Sequence, residues 1–172
     1  MPERTEVQVR AGRDDDLVAL TDIYNHYIRE TPITFDISPI TPDERRPWLL
    51  SHPEDGPHRL LVAQPESDGR ILGYATSSPF RPKAAYATSV ETSIYLAPDA
   101  GGRGIGTLLY TALFEALAEE DVHRAYAGVT LPNEASIRIH QRFGFKQIGV
   151  YEEVGRKFGA YHDVAWLEKR LS

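Results

Sequence analysis

The chain is predicted to be an α/β protein, a mixed sheet with helices on both faces, and three observations carry that prediction. Strand-like and helix-like stretches interleave along the whole length instead of segregating into separate halves. From Ile105 onward, Leu108, Leu109, Ala112, Leu113, Ala116 and Leu117 keep strict helical spacing, which marks one strong amphipathic helix in the middle of the chain. Finally, 172 residues fit a single domain, 1–172, with one core, since cores stop growing near ~250 residues.

The elements follow in order. Val7 to Arg10 reads as a short strand. Leu17, Leu20, Tyr24, Tyr27 and Ile28 share one helical face, with Asp14 to Asp16 as acidic caps in front. Thr41-Pro42-Asp43-Glu44 combines a capping box with proline at the first helical position, so a shorter helix covers about 42–51. Arg59 to Gln64 and Arg70 to Ser77 flank the turn-prone Glu66-Ser67-Asp68-Gly69 and form a hairpin. A third strand runs from about Ala87 to Ala97 and stops at Pro98-Asp99. After the helix from Ile105 come a strand at Arg124 to Thr130, a helix from about Asn133 to Phe143, and strands at 147–154 and 161–168.

Composition excludes several kinds of chemistry. With no cysteine, disulfides, thiolate metal sites and a cysteinyl acyl-enzyme are ruled out, and no metal is expected. The net charge of −6 speaks against a general nucleic-acid binder, which carries a basic face. It leaves room for an anionic cofactor, because a cradle of backbone N–H groups and a few arginines suffices. The first sixteen residues are charged and lack the apolar core of a signal peptide, and no apolar run approaches the ~18 residues of a membrane span. No membrane association and a cytoplasmic location are therefore expected.

Gly101-Gly102-Arg103-Gly104-Ile105-Gly106-Thr107 joins a strand directly to the strongest helix. Glycine lets the backbone turn sharply and approach a ligand, and the first N–H groups of a helix are unpaired at the positive end of its dipole. These features suit a pyrophosphate, although a plain flexible loop would have the same composition. A P-loop would end in Gly-Lys-Ser/Thr, which is absent here. A dinucleotide fold would place its glycines after the first strand, whereas this cluster follows a middle one.

The arrangement instead resembles the GNAT superfamily of N-acetyltransferases, whose cofactor motif is Arg/Gln-x-x-Gly-x-Gly/Ala at this junction. Gly104 and Gly106 match its fourth and sixth positions, and Gly101 stands where the family usually has glutamine or arginine, with Arg103 nearby as a substitute charge. A second signature follows in the right order: Asn133, then a helix that ends in Gly144-Phe145. The resemblance implies the GNAT fold, a mixed and mostly antiparallel central sheet with helices on both faces, and acetyl-CoA as co-substrate. It places the cofactor against Ile94, Tyr95 and Leu96, along Gly101, Gly102, Arg103, Gly104, Ile105, Gly106 and Thr107, and beside Asn133 and Ser136.

One subfamily is closer still, the phosphinothricin and methionine sulfoximine/sulfone acetyltransferases. They share a glutamate before the Val/Ile-Tyr-Val/Leu of the strand, here Glu91 before Ile94-Tyr95-Leu96. They carry histidine, here His140, where many relatives have tyrosine beside the cofactor sulfur. Their C-terminal signature appears as Lys157-Phe158-Gly159-Ala160-Tyr161-His162-Asp163. By this resemblance Glu91 is the candidate general base that takes a proton from the attacking amine, and His140 is the candidate acid for the leaving thiolate. The two roles are interchangeable at this stage. Backbone N–H groups near Tyr95 and Leu96 would face the oxyanion if the strand bulges there, as it does in relatives.

The resemblance also implies an amino-acid-like amine as acceptor and a homodimer. Arg81, with Lys83 close by, is the candidate for the acceptor's acidic group. Phe35, Thr92 and Phe158 are expected to line the acceptor pocket. Peptide N-terminal, aminoglycoside or polyamine acetylation is the enzymatic alternative, and a non-catalytic acyl-CoA-binding sensor module is the alternative from another class.

Overall fold

The computed structural model describes residues 6–172. Its elements run β1 (Val7–Ala11), α1 (Leu17–Glu30), α2 (Pro42–Leu50), β2 (Leu60–Pro65), β3 (Gly73–Pro79), β4 (Ser89–Leu96), α3 (Ile105–Leu117), β5 (Arg124–Thr130), α4 (Glu134–Arg142), β6 (Lys146–Lys157) and β7 (Ala160–Arg170). The strands form one sheet in the order β1-β2-β3-β4-β5-β7-β6. Every neighbouring pair is antiparallel except β4 and β5, which run parallel. The mixed, mostly antiparallel α/β architecture expected from the sequence is the one observed. Among the described residues no helix is long and apolar enough to cross a membrane.

Side-chain alternation on β4 explains how the faces are filled. Tyr95 meets Tyr24 and Tyr27 of α1, with ring centroids 5.5 and 5.1 Å away, and its cross-strand partner Tyr74 meets Trp48 of α2 at 5.7 Å. Thr92 points the other way, toward Tyr110 of α3. Thus α1 and α2 cover one face, while α3 and α4 cover the other. Leu109, Tyr110, Leu113 and Leu117 of α3 are fully buried, each apolar side chain contributing about 1.5–3 kcal/mol on burial.

Local departures from the sequence reading have identifiable causes. Asp14 to Asp16 form a 3₁₀ turn and do not cap α1 by side chain; the Asp16 carboxylate accepts from Arg13 N and pairs with Arg10 at 2.8 Å. The Thr41/Glu44 capping box is present as expected. β3 starts at Gly73, three residues later than predicted, because Leu72 breaks the alternation. Its N–H donates to Ala63 on one side while its carbonyl accepts from Ala97 on the other. β6 and β7 are longer than predicted and meet at Phe158-Gly159, both at positive φ, the conformation of a tight hairpin turn.

The bulge expected near Tyr95 and Leu96 is not there. β3 and β4 stay in register from Pro79/Val90 to Gly73/Leu96 without a shift. The strand is freed on its other edge instead, because pairing of β4 with β5 is confined to Ser89/Arg124, Val90/Ala125 and Glu91/Tyr126. Beyond Glu91 the two strands diverge, and β5 continues along β7 to Thr130.

Candidate active site

A cleft of about 520 Å³ opens between the β4–α3 junction and α4. Gly101, Gly102, Gly104, Ile105, Gly106 and Thr107 line it on one side, Asn133 and Ser136 on the other, and Ile94 and Leu96 at its floor. Gly104, at φ +75°, is the residue that caps α3 by its backbone alone, and nothing lies within 4 Å of where its Cβ would stand. Gly102, at φ +73°, is equally open. A phosphate-bearing chain therefore meets bare backbone and the positive end of a 13-residue helix. Gly106 has a different reason: a Cβ there would come within 2.8 Å of Ile139 Cδ1, so its smallness lets α3 pack against α4.

Arg103 is exposed and does not line the cleft. Arg138 and Arg142 of α4 do line it, and Arg142 Nη1 reaches Thr107 Oγ1 at 3.4 Å. These two cations, missed in the sequence, supply positive charge beside the position where Gly101 leaves out a side chain. Their i, i+4 spacing on the helix that Asn133 begins was the available signal. Asn133 itself caps α4, its Oδ1 accepting from Ser136 N at 3.2 Å. The residues present fit an anionic, pyrophosphate-bearing co-substrate. Among the described residues no group of three or more His, Asp or Glu side chains is placed to hold a metal.

At its inner end the cleft meets the β4–β5 gap, a cavity of about 50 Å³ that shares Ile33, Ile94, Asn133 and Ser136 with it. Ala97 N donates to Leu72 O on the β3 side, so strand alternation turns the N–H groups of Leu96 and Ile94 into the gap. Tyr27 Oη, donating to Leu96 O at 2.6 Å, holds that edge in place. Neither Ile94 nor Leu96 pairs with β5, whose register with β4 ends at Glu91.

His140 lines the gap, whereas Glu91 stands at the last paired position before it, on the opposite face of the sheet, and is not among its lining residues. Glu91 is half-buried on the α1/α2 face, two residues before Ser93. Burial pushes its carboxyl above the usual carboxylate range, and the positive charge of Arg81 partly offsets this. Arg81 is exposed and stacks 4.3 Å above the Phe80 ring, while Phe80 in turn stacks on Tyr126, the residue opposite Glu91. Lys83 is exposed at the start of a short 3₁₀ turn.

On the α3/α4 face His140 is 3% exposed. Its Nδ1 lies 2.7 Å from Ser136 O, and a carbonyl only accepts, so Nδ1 carries the proton. Nε2 then accepts from Tyr110 Oη at 2.8 Å. Burial lowers the imidazole below its ordinary range, with the Ser136 carbonyl opposing, so the ring is neutral at pH 7. Tyr110, unmarked in the sequence reading because it sits inside an apolar helix, is the group that meets His140. Thr92, expected in the acceptor pocket, turns to this face, with its Oγ1 3.3 Å from Tyr110 Oη.

Phe35 and Phe158 lie where the C-terminal hairpin meets the loop after α1. The Phe35 ring occupies the space over Gly155, where a Cβ would come within 2.3 Å of it. Lys157 Nζ donates to Thr34 O at 2.8 Å, and Phe158 stands 62% exposed beside it. Phe35 is thus packed against the hairpin, whereas Phe158 projects from it.

Comparison with known proteins agrees with this geometry. The model of the family described as Acetyltransferase (GNAT) family matches residues 20–145. The chain is 69% identical to the phosphinothricin N-acetyltransferase of Streptomyces coelicolor, over 99% of this chain and 100% of that one. It is 32% identical to the L-methionine sulfoximine/L-methionine sulfone acetyltransferase of Pseudomonas aeruginosa, covering 91% of this chain and 90% of the relative. A phosphinothricin acetyltransferase from Sinorhizobium meliloti, solved in complex with AcCoA, superposes with a TM-score of 0.91 at 29% identity, over 96% of this chain and 89% of that one.

Proposed function

The chain belongs to the acetyltransferase (GNAT) family, and from that premise we propose that it moves the acetyl group of acetyl-CoA directly onto the primary amine of a small amino-acid-like acceptor. The observation that carries this reading is the β4–β5 gap, open to the glycine-lined cleft, lined by the Tyr110–His140 pair and preceded by Glu91 at the last paired position of β4. Acetyl-CoA supplies the activated acyl group. Gly101, Gly102 and Gly104 admit its pyrophosphate, and Arg138 and Arg142 neutralise the charge. Glu91 accepts the proton of the acceptor's ammonium, which its raised affinity for protons favours. The amides of Leu96 and Ile94 stabilise the oxyanion. Collapse of the tetrahedral intermediate releases the thiolate of coenzyme A, and the new amide nitrogen sheds its second proton. The hydrogen-bonded Tyr110–His140 pair, with Thr92 beside it, is the relay that passes that proton to the sulfur.

The amino-acid class of acceptor rests on the names of the relatives and on Arg81 beside Glu91. Thiol release from acetyl-CoA with phosphinothricin, methionine sulfone and a panel of ordinary amino acids tests it. Turnover of peptides or polyamines in preference to these would replace the acceptor class. No thiol release with any amine, despite tight acetyl-CoA binding, would leave a non-catalytic acyl-CoA-binding module.

A cytoplasmic location, where acetyl-CoA is available, and a homodimer belong to the same proposal. β6 is an edge strand with Ile148, Val150, Tyr151 and Val154 all exposed, and such an edge invites a partner. Sedimentation equilibrium reads the state directly. A Val150→Lys variant is expected to sediment as a monomer if this edge is the interface.

A further inference from the structure

Lys157 ends β6, and nothing in the transfer chemistry uses it. Its side chain is 4% exposed, and its Nζ donates to the backbone carbonyl of Thr34 at 2.8 Å. The Phe158 ring lies 5.2 Å away. None of the ion pairs among the described residues includes Lys157. Taking an ammonium out of water is costly, and one carbonyl returns no counter-charge. A hydrocarbon side chain would fill the same space without that penalty, so the bond to Thr34 is what the lysine adds.

That carbonyl belongs to the strap of residues 31–41 between α1 and α2. On its α1 side the strap is fixed by Tyr24, whose hydroxyl meets Thr34 Oγ1 at 3.0 Å and also the Asp36 carboxylate. Asn25 fixes it again, exchanging two hydrogen bonds with the Ile40 backbone at 2.7 and 2.9 Å. On the other side it reaches the C-terminal hairpin through Lys157 on Thr34 and through the Phe35 ring over Gly155. Thr130, the last residue of β5, adds a long contact, 3.4 Å from its Oγ1 to Ile33 O.

What the strap brings to the site is Ile33. Four described residues border both the glycine-lined cleft and the β4–β5 gap: Ile94 on β4, Asn133 and Ser136 at the start of α4, and Ile33. The first three belong to the elements that build the site, whereas Ile33 is held there by its connection. Its neighbour Thr34 is the residue that Lys157 grips.

Resting on the acetyltransferase reading above, we propose that Lys157 is a positioning residue: by holding Thr34 it keeps Ile33 at the junction of cleft and gap, where it shields the thioester from water. With the strap loose, water takes the place of the amine. Its oxygen bonds to the carbonyl carbon, the C–S bond breaks, and acetate, the thiol of coenzyme A and one proton result. A lysine that merely stabilised the hairpin would alter the melting temperature and leave amine-independent hydrolysis unchanged.

Two readouts on Lys157→Met test this, the first without any co-substrate. The amides of Ile33 and Asp36 report on the strap, since each donates to a threonine hydroxyl within it. Their hydrogen–deuterium exchange in the free chain is expected to quicken by roughly 10- to 100-fold, the shift that follows loss of a hydrogen bond to a charged group, while β4 and β5 hold. Thiol release from acetyl-CoA with no amine present is expected to rise by a similar factor. Lys157→Gln, which keeps a donor, should recover part of both. Should Lys157→Met fail to fold, Ile33→Ala should raise hydrolysis and leave strap exchange near that of the wild type. Unchanged exchange in Lys157→Met, or quicker exchange without added hydrolysis, overturns the assignment of Lys157 and leaves the transferase intact. Hydrolysis unaltered in Ile33→Ala overturns it equally. Quicker exchange and added hydrolysis in a protein whose wild type acetylates no amine supports the strap and overturns the transferase.

Discussion

Tyr110 Oη stands 2.8 Å from His140 Nε2 inside the core, on helices that the chain separates by 30 positions. The pair faces the β4–β5 gap from the side opposite Glu91, so proton acceptance and proton return are assigned to different faces of one sheet. The proton on Nδ1 of His140 is held by the Ser136 carbonyl and that of the Tyr110 hydroxyl by Nε2, so the two side chains form a short hydrogen-bonded chain beside the gap.

Tyr110→Phe removes that hydroxyl with little change in shape. Loss of a positioned acid costs typically ~10²–10⁴-fold in rate, and a fall in kcat of that order is expected, with acetyl-CoA affinity unchanged by calorimetry. Leaving His140 Nε2 unpaired should also cost ~1–3 kcal/mol of stability. Unaltered turnover would remove Tyr110 from the mechanism.

Arg81 lowers the proton affinity of Glu91 against the effect of burial. A base works only when deprotonated, so activity is lost as pH falls through the Glu91 value, which lies above the ordinary ~4.3 of glutamate. Arg81→Ala removes the opposing charge, and the acid limb of the kcat/KM profile should move to higher pH. A limb that stays put, or moves down, would separate Arg81 from Glu91.

His140 and His52 are both buried and both held below the ordinary histidine range by that burial. Below about pH 6.5 the unfolded chain takes up protons that the folded chain refuses, so stability must fall as pH drops from there toward the folded values. Thermal unfolding between pH 7 and 5 should show that decline. His52→Gln, which can keep a polar contact with Ser78, should make it shallower.

Gly101 occupies open space, with nothing within 4 Å of a would-be Cβ and no positive φ to forbid one. Gly101→Gln should fold normally and tighten acetyl-CoA binding, by up to ~10-fold for one added hydrogen bond to a charged group. Gly106→Val, by contrast, forces Ile139 aside and should destabilise by ~1–3 kcal/mol. Calorimetric titration and thermal melts read the two effects separately.

Much of this site was legible because the carrying signals are local. The glycines at the strand-to-helix junction, Asn133 and Glu91 are picked out by their match to a family's motifs, since spacing alone leaves a plain flexible loop open at the glycines. What escaped the sequence depends on tertiary contact. Tyr110 looks like one more apolar position of α3 until α4 brings His140 against it. Arg45, on which the sequence is silent, is enclosed by Tyr24, Trp48 and Tyr74 only once α1, α2 and the sheet pack together. The splay of β4 from β5 is equally silent: Gly128 lies in the diverging stretch of β5, but it is occupied in making room for the Trp166 ring, and β5 keeps its pairing with β7 past the point where β4 leaves. Thr92 was placed with the acceptor by analogy, whereas strand alternation from Glu91 already puts it on the opposite face.

The central claim is that a carboxylate at position 91 takes the acceptor's proton during direct transfer. Glu91→Gln preserves shape and removes only that function. The decisive measurement is single-turnover acetylation of phosphinothricin at neutral pH by this variant, with acetyl-CoA affinity determined alongside. The account predicts a rate lower by ~10²–10⁴-fold and an unchanged dissociation constant for acetyl-CoA. A rate within a few-fold of wild type would contradict it and place the base elsewhere.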